Sequence, residues 1–244
     1  MIEYSIFYII LAIINGIFGL IVGAGNLLVP GLLAVGIPAH TVLGTIRLSF
    51  LGGSSTSSWR FKIKGYLKFR EGVPLIFSSF FASILGTFFI LSIAERIATY
   101  LLVSIIIISV VLLLFRKKIG VKREKRKHST VNLLLIGIGS GFVSGAFGIM
   151  GGAVSVLPLV FFERYTMKQA IALSSIRGIG SQTAALIVFA LNGAILWDVS
   201  LMLLIGGVIG SLVGVEIAHK IPEKIIKFAF AFSTILLAIK ILFF

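Results

Sequence analysis

Two arginines sit inside strongly apolar stretches of this chain: Arg47 in GTIRLSFLGGSSTSS at 44–58 and Arg177 in ALSSIRGIGSQTAAL at 172–186. A guanidinium in the middle of hydrocarbon costs at least about 2.5–3.5 kcal/mol on insertion scales, so something must offset it. The usual partner is a carboxylate. Yet all eight acids (Glu3, Glu71, Glu95, Glu124, Glu163, Asp198, Glu216 and Glu223) fall at or near segment ends or in loops. An exchangeable anion is the partner this pattern suggests, because the planar guanidinium fork donates two parallel hydrogen bonds to an oxyanion. Polar neighbours surround the pair: Thr45 and Ser49 beside Arg47, and Ser174, Ser175 and Gln182 beside Arg177. The competing readings are that an arginine snorkels to an interface or bonds backbone carbonyls, and that the hydroxyls are helix-packing glue.

Other chemistries find no residues here. There is no cysteine, and His40, His128 and His219 are scattered near segment ends without metal-ligand spacing. No His, Asp or Glu lies in the middle of an apolar segment to form a nucleophile–base pair, so an enzyme is not expected. No G-x4-GK-[ST] is present, and no cofactor or metal is expected.

The elements that must carry these residues are membrane helices. Of 244 residues 58% are hydrophobic and only 12% charged, and the mean hydropathy is +1.15. Residues 97–115 and 225–244 are two of several windows of about 20 apolar residues, the length that crosses a hydrocarbon core. The first segment lacks a basic stretch before it and reads as retained. The net charge of +14 reads as membrane-flanking charge, not as a nucleic-acid surface.

The chain also reads as one unit written twice. The offset from Pro30 to Pro158, 128 residues, recurs at Gly23 and Gly151, at Gly65 and Gly193, and at Ser83-Ile84-Leu85-Gly86 and Ser211-Leu212-Val213-Gly214. With a shift of two, Thr45-Ile46-Arg47 matches Ser175-Ile176-Arg177. The halves are 1–118 and 129–244, joined by a basic cytoplasmic linker at 119–128. Apolar segments are expected at 5–35, 41–59, 71–93 and 97–115, then at 131–161, 168–190, 198–218 and 223–244. The first segment of each half would be roughly 46 Å long as one straight helix, too long for a core of about 30 Å. Each has a glycine break, GLIVGAGNLLVP at 19–30 and GIMGGAVSVLP at 148–158. Pro30 and Pro158 are read as break-formers. A half-helix starting near Asn26 or Ala153 would present free N–H groups and a positive dipole end. Gly23, Gly25, Asn26, Gly151 and Gly152 therefore join Arg47, Arg177, Thr45, Ser49, Ser174, Ser175 and Gln182 as candidate anion ligands.

Charge decides whether the broken segments cross. Five of the 22 Lys and Arg lie between 60 and 70 and eight between 116 and 127. If 131–161 crosses, Arg164, Lys168 and Lys220 fall on the opposite side. If it turns back as a hairpin, they join the basic side, which satisfies the positive-inside rule better. The expected fold class is an all-α polytopic membrane protein of two inverted repeats. Each would be a broken re-entrant helical hairpin plus three transmembrane helices, as in many secondary transporters.

The pattern G-x3-GAG-N-x3-P at 19–30 and G-x2-GGA-x4-P at 148–158, each followed by a short loop and a small-residue-rich helix, resembles the TauE/SafE family of sulfite-exporter-like permeases. The resemblance covers essentially the whole chain. It implies a multi-pass protein of the prokaryotic cell membrane that transports small sulfur-containing or organic anions such as sulfite or sulfonates. The partners then expected are the small anionic substrate and the lipid bilayer, with a homo-oligomer compatible and nucleic acid excluded. A passive anion channel and a non-transport assembly subunit are the alternatives.

Overall fold

The computed structural model describes residues 2–22, 28–92, 129–148, 151–222 and 225. Among them are eight helices: α1 Ile2–Val22, α2 Leu28–Ala34, α3 Ala39–Ile63, α4 Phe69–Ser92, α5 Thr130–Phe147, α6 Gly151–Phe161, α7 Met167–Leu191 and α8 Trp197–Lys220. No strand occurs among the described residues. Four helices, α4, α5, α7 and α8, are long and apolar enough to cross a membrane. Segment 97–115, the linker 119–128 and nearly all of 225–244 lie outside the described residues.

Local chemistry sets the helix ends. The Ser129 hydroxyl accepts from the Asn132 N–H at the start of α5, and Thr166 and Gln169 form a reciprocal capping box at the start of α7. Gly65 and Gly193, matched in the sequence, both take positive φ (77° and 66°) in the α3–α4 and α7–α8 turns, where a β-carbon would be strained. Gly148 does the same at φ 70° and ends α5. Glycine makes this break, not proline: Pro158 lies inside α6. That corrects its reading as a break-former. A helix tolerates the lost N–H when the surrounding protein fixes the segment.

The segment from 129 to 163 returns on itself. The buried Glu163 carboxylate accepts from the Ser129 N–H (3.1 Å) and from Asn132 Nδ2 (2.6 Å). Near the N-terminus, Leu28 and Leu32 of α2 likewise pack with Tyr8 and Leu11 of α1.

The helices pair in a pattern that survives exchange of the halves. α1 packs on α8 as α5 packs on α4, and α3 packs on α8 as α7 packs on α4, while α3 and α7 pack on each other. α3 and α8 run parallel: Ser200 Oγ donates to the Thr45 carbonyl (2.8 Å), Ser49 Oγ donates to the Leu203 carbonyl (2.7 Å), and Arg60 pairs with Glu216. α4 and α7 also run parallel, with Ser79 Oγ donating to the Arg177 carbonyl (3.0 Å) and Ser83 Oγ to that of Ser181 (2.8 Å). α3 and α7 run antiparallel, because Gly44 faces Phe189 and Gly178 faces Ser54.

Small residues allow the closest approaches. A β-carbon on Gly206 would meet the Ile9 carbonyl and Ala12, and one on Gly86 would meet the Phe142 carbonyl. These are the small-residue ridges that bring membrane helices together. Outward, Phe77, Phe81, Leu85 and Phe88 on α4 and Leu201, Ile205, Ile209 and Val213 on α8 form exposed apolar stripes, the surface a bilayer covers. Trp59 and Trp197 are exposed at helix ends.

Apart from Arg47 and Arg177, all described Lys and Arg lie at one end of the bundle. Tyr66 and His219 are hydrogen-bonded there (3.1 Å), Tyr165 bonds Glu71 (3.0 Å), and Lys168 donates to the His219 carbonyl (2.7 Å). Arg164, Lys168 and Lys220 therefore share the end occupied by residues 60–70.

Candidate functional site

Arg47 and Arg177 occupy matching positions on α3 and α7 but have different surroundings. Arg47 is fully buried. Its Nη1 donates to the Ser144 carbonyl (2.7 Å) and to Gln182 Oε1 (3.2 Å), Nη2 to the Gly145 carbonyl (2.9 Å), and Nε to the Leu43 carbonyl (3.0 Å). Its guanidinium also lies over the Phe189 ring, 5.1 Å from the centroid. Ser144 and Gly145 are in the last turn of α5, where carbonyls carry the negative end of the helix dipole. Arg47 thus acts as a C-terminal cap on α5. Gly148 is required next to it: a β-carbon there would lie 3.3 Å from three guanidinium atoms.

Arg177 is 2% exposed and much less well satisfied. Nη1 makes long contacts to Ser181 Oγ (3.2 Å) and the Ser140 carbonyl (3.4 Å), and Nε has no partner. A buried orphan donor is costly, and this one belongs to a cation on a cavity wall.

The cavity has a volume of about 100 Å³. Its polar wall comprises Arg177, Gln182, Asn15 and the serines Ser49, Ser54, Ser57, Ser144, Ser174, Ser175 and Ser211. Glycines 16, 19, 53, 148, 152, 178 and 207 bring backbone to its surface, and among the described residues no acidic side chain lines it. Gly152 adds the first turn of α6, whose N–H groups have no intrahelical partner. Ser155 Oγ is hydrogen-bonded to Ser174 Oγ (2.7 Å) and also lies 3.0 Å from the Gly152 carbonyl, which ties Ser174 to the first turn of α6. Among the described residues no group of three or more His, Asp or Glu could hold a metal.

The cavity is one-sided. It lies mainly on the basic side of the arginines, lined by α3 from Ser49 to Ser57, α7 from Ile171 to Gln182 and the middle of α8 at Gly207 and Ser211. On the other side of the arginines, Val42, Ile46, Ala185, Phe189 and Ile195 are buried, and Arg47 ties α3 to α5.

The whole chain, from residue 4 to residue 241, matches the model of the family described as sulfite exporter TauE/SafE. The chain belongs to the TauE/SafE family. It is 29% identical to a "Probable membrane transporter protein" of Haemophilus influenzae over 206 residues, covering 84% of this chain and 81% of the relative. It is 28% identical to the "Probable membrane transporter protein ORF9" of a Sinorhizobium species, covering 97% and 91%. With the Escherichia coli "Probable membrane transporter protein YfcA" it shares 24% identity over 95% of this chain and 87% of that one. No solved structure matches the chain.

In this TauE/SafE protein the structure gathers Arg177, Ser49, Ser174, Ser175, Gln182 and Gly152 around one cavity. Gly151 opens α6 beside it. Arg47 and Thr45 are elsewhere: Arg47 on the α5 carbonyls, Thr45 with its hydroxyl accepting from the Leu196 N–H (3.1 Å). Gly23, Gly25 and Asn26 lie outside the described residues. The hydroxyl-rich run of 41–59 places Ser54 and Ser57 in the interior without singling them out as ligands, and sequence reasoning missed Asn15, Ser144 and Ser211. Two of them were within reach, since Asn15 and Ser144 hold equivalent places relative to the first glycine of each break, Gly19 and Gly148.

Proposed function

We propose that this TauE/SafE protein is a secondary transporter of a small sulfur-containing or organic anion, of sulfite or small sulfonate size, bound at Arg177. The observation that carries this is a buried guanidinium with an unpartnered Nε on the wall of a hydroxyl-rich cavity that no carboxylate lines among the described residues. Arg177 supplies the charge and the fork, Ser174 and Gln182 supply neutral donors, and the first turn of α6 supplies N–H groups. The cavity is far below the roughly 300–1,000 Å³ of sites for drug-sized ligands, which favours an ion over a bulky aromatic sulfonate. The antiparallel α3 and α7, the returning segment 129–163 and the single basic end support two inverted repeats, 1–118 and 129–244, with re-entrant hairpins. That basic end is the cytoplasmic one by the positive-inside rule, so the cavity loads from inside. A membrane potential negative inside then favours export. The one-sided cavity supports alternating access over a passive channel, which needs a continuous path.

The test is the melting temperature of the detergent-purified protein against sulfite, sulfate, thiosulfate, sulfoacetate, taurine, isethionate, acetate and chloride. A ligand of the native state raises it as concentration passes Kd. The expected result is a shift with one sulfur anion that Arg177→Gln abolishes. An equal shift in the variant, or none with any anion, overturns the proposal.

A further inference from the structure

The two arginines are equivalent in sequence and differently engaged in space, and so are the helices they address. Arg47 sits on the carbonyls of Ser144 and Gly145, at 2.7 and 2.9 Å, just before Gly148 ends α5 in a left-handed conformation. Counted back from the first glycine of the other break, Gly19, the equivalents of Ser144 and Gly145 are Asn15 and Gly16. Asn15, Gly16 and Gly19 line the same cavity as Arg177. Gly19, however, does not end its helix: α1 continues to Val22. Where an arginine is docked, the glycine terminates the helix. Where it is not docked, the equivalent glycine stays helical and its arginine has a free donor.

We infer that the α1 backbone at Asn15 and Gly16 is a second docking site, for Arg177, and that the two arginines dock alternately. In the opposite-facing conformation Gly19 becomes the C-cap and α1 shortens. Its last carbonyls then receive Arg177, while α5 extends through Gly148 and releases Arg47. Each docking closes its own side: Arg47 now ties α3 to α5 away from the basic end, and Arg177 would tie α7 to α1 across the present cavity. The freed arginine faces the cavity that opens on its side. An anion on Arg177 and the α1 carbonyls compete for one guanidinium, so as that side closes the anion passes from Arg177 to the freed Arg47. In this scheme Arg47 is a positioning residue in the conformation described here and the anion ligand in the other. The link to substrate rests on the transporter reading above, whereas the docking exchange itself is testable without any anion.

The chain has no cysteine, so Ser54→Cys, on the cavity wall, is a single reporter for a small water-soluble thiol reagent. Labelling rates are compared in three backgrounds: Gly148→Ala, Arg47→Gln and Gly19→Ala. Alanine resists the left-handed cap, which shifts a two-state population by about tenfold. Gly148→Ala and Arg47→Gln should therefore slow labelling, by about tenfold where the penalty is fully expressed. Gly19→Ala should leave labelling as fast as in the unsubstituted background or faster, and should stop turnover of any anion that the parent transports. Gly19 is helical here, a backbone that alanine favours over glycine, so this variant keeps the inference testable if Gly148→Ala is lost to misfolding. Equal labelling in Arg47→Gln and Gly19→Ala overturns the exchange, as does wild-type transport by Gly19→Ala. Absence of any anion effect on the parent would instead sink the transporter reading and leave the labelling contrast standing.

Discussion

Replacing Arg47 with glutamine should destabilise the protein far more than replacing Arg177. Arg47 donates to three carbonyls, of Leu43, Ser144 and Gly145, at 3.0, 2.7 and 2.9 Å. Hydrogen bonds to a charged group are each worth about 1.5–3 kcal/mol net, and glutamine can restore one at most. The abandoned acceptors are not orphaned. The Ser144 carbonyl still accepts from the Gly148 N–H (2.9 Å) and that of Gly145 from Thr87 Oγ1 (3.1 Å). The guanidinium's desolvation cost is also recovered. The net loss is then about 3 kcal/mol, or roughly 6–12 °C in melting temperature at about 2–4 °C per kcal/mol for a chain of this size. Arg177 makes two contacts, at 3.2 and 3.4 Å, and carries an orphan Nε. Its loss should change stability by no more than about 1 kcal/mol either way. The assay is thermal unfolding of both variants in one detergent without added anion. A fall with Arg177→Gln equal to that with Arg47→Gln would refute the reasoning, because Arg177 would then be a packed structural cation. Arg47→Lys should fall in between, since a point charge cannot span the fork's acceptors.

Three further outcomes follow from the packing and the cavity. Gly141→Ala places a β-carbon 2.5 Å from the Ser79 Cα and should cost about 1–3 kcal/mol, whereas Gly139→Ala meets nothing within 4 Å and should be neutral or stabilising by up to about 1 kcal/mol; melting temperatures of the pair decide. Glu163→Ala leaves the Ser129 N–H and Asn132 without their acceptor and should lower stability by about 1–3 kcal/mol, with proteolysis near residue 129 as the readout. Gln182→Glu puts a carboxylate on the cavity wall beside Arg47. It should weaken anion binding by about tenfold or more through like-charge repulsion, read as a loss of the anion-induced melting shift.

Much of this protein is legible in one dimension because its strongest signals are local. Apolar windows mark the helices, Gly65 and Gly193 mark equivalent turns by a φ that only glycine adopts without strain, and Gly148 marks a helix end. Apart from Arg47 and Arg177, the described Lys and Arg sort to one end, as the bilayer favours. Charge counting favours a hairpin over a straight crossing for 131–161, and the Glu163 bonds to Ser129 and Asn132 bring the two ends of that segment together. Pro158 misled because proline signals a possible break, while the actual break lay ten residues earlier, where Gly148 provided the backbone freedom.

The difference between the arginines came only from tertiary structure. Arg47 and Arg177 have like neighbours in sequence, and the absence of nearby acid applied equally to both. What separates them is backbone: carbonyls of Ser144 and Gly145, 97 and 98 residues away, face one guanidinium and not the other. A carbonyl belongs to every residue, so no residue type announces it as a partner, and only the packing of α3 against the end of α5 makes it one. The sequence by itself determined that two cations would be buried. The fold decided that one would be satisfied by the protein and the other left with a donor to offer.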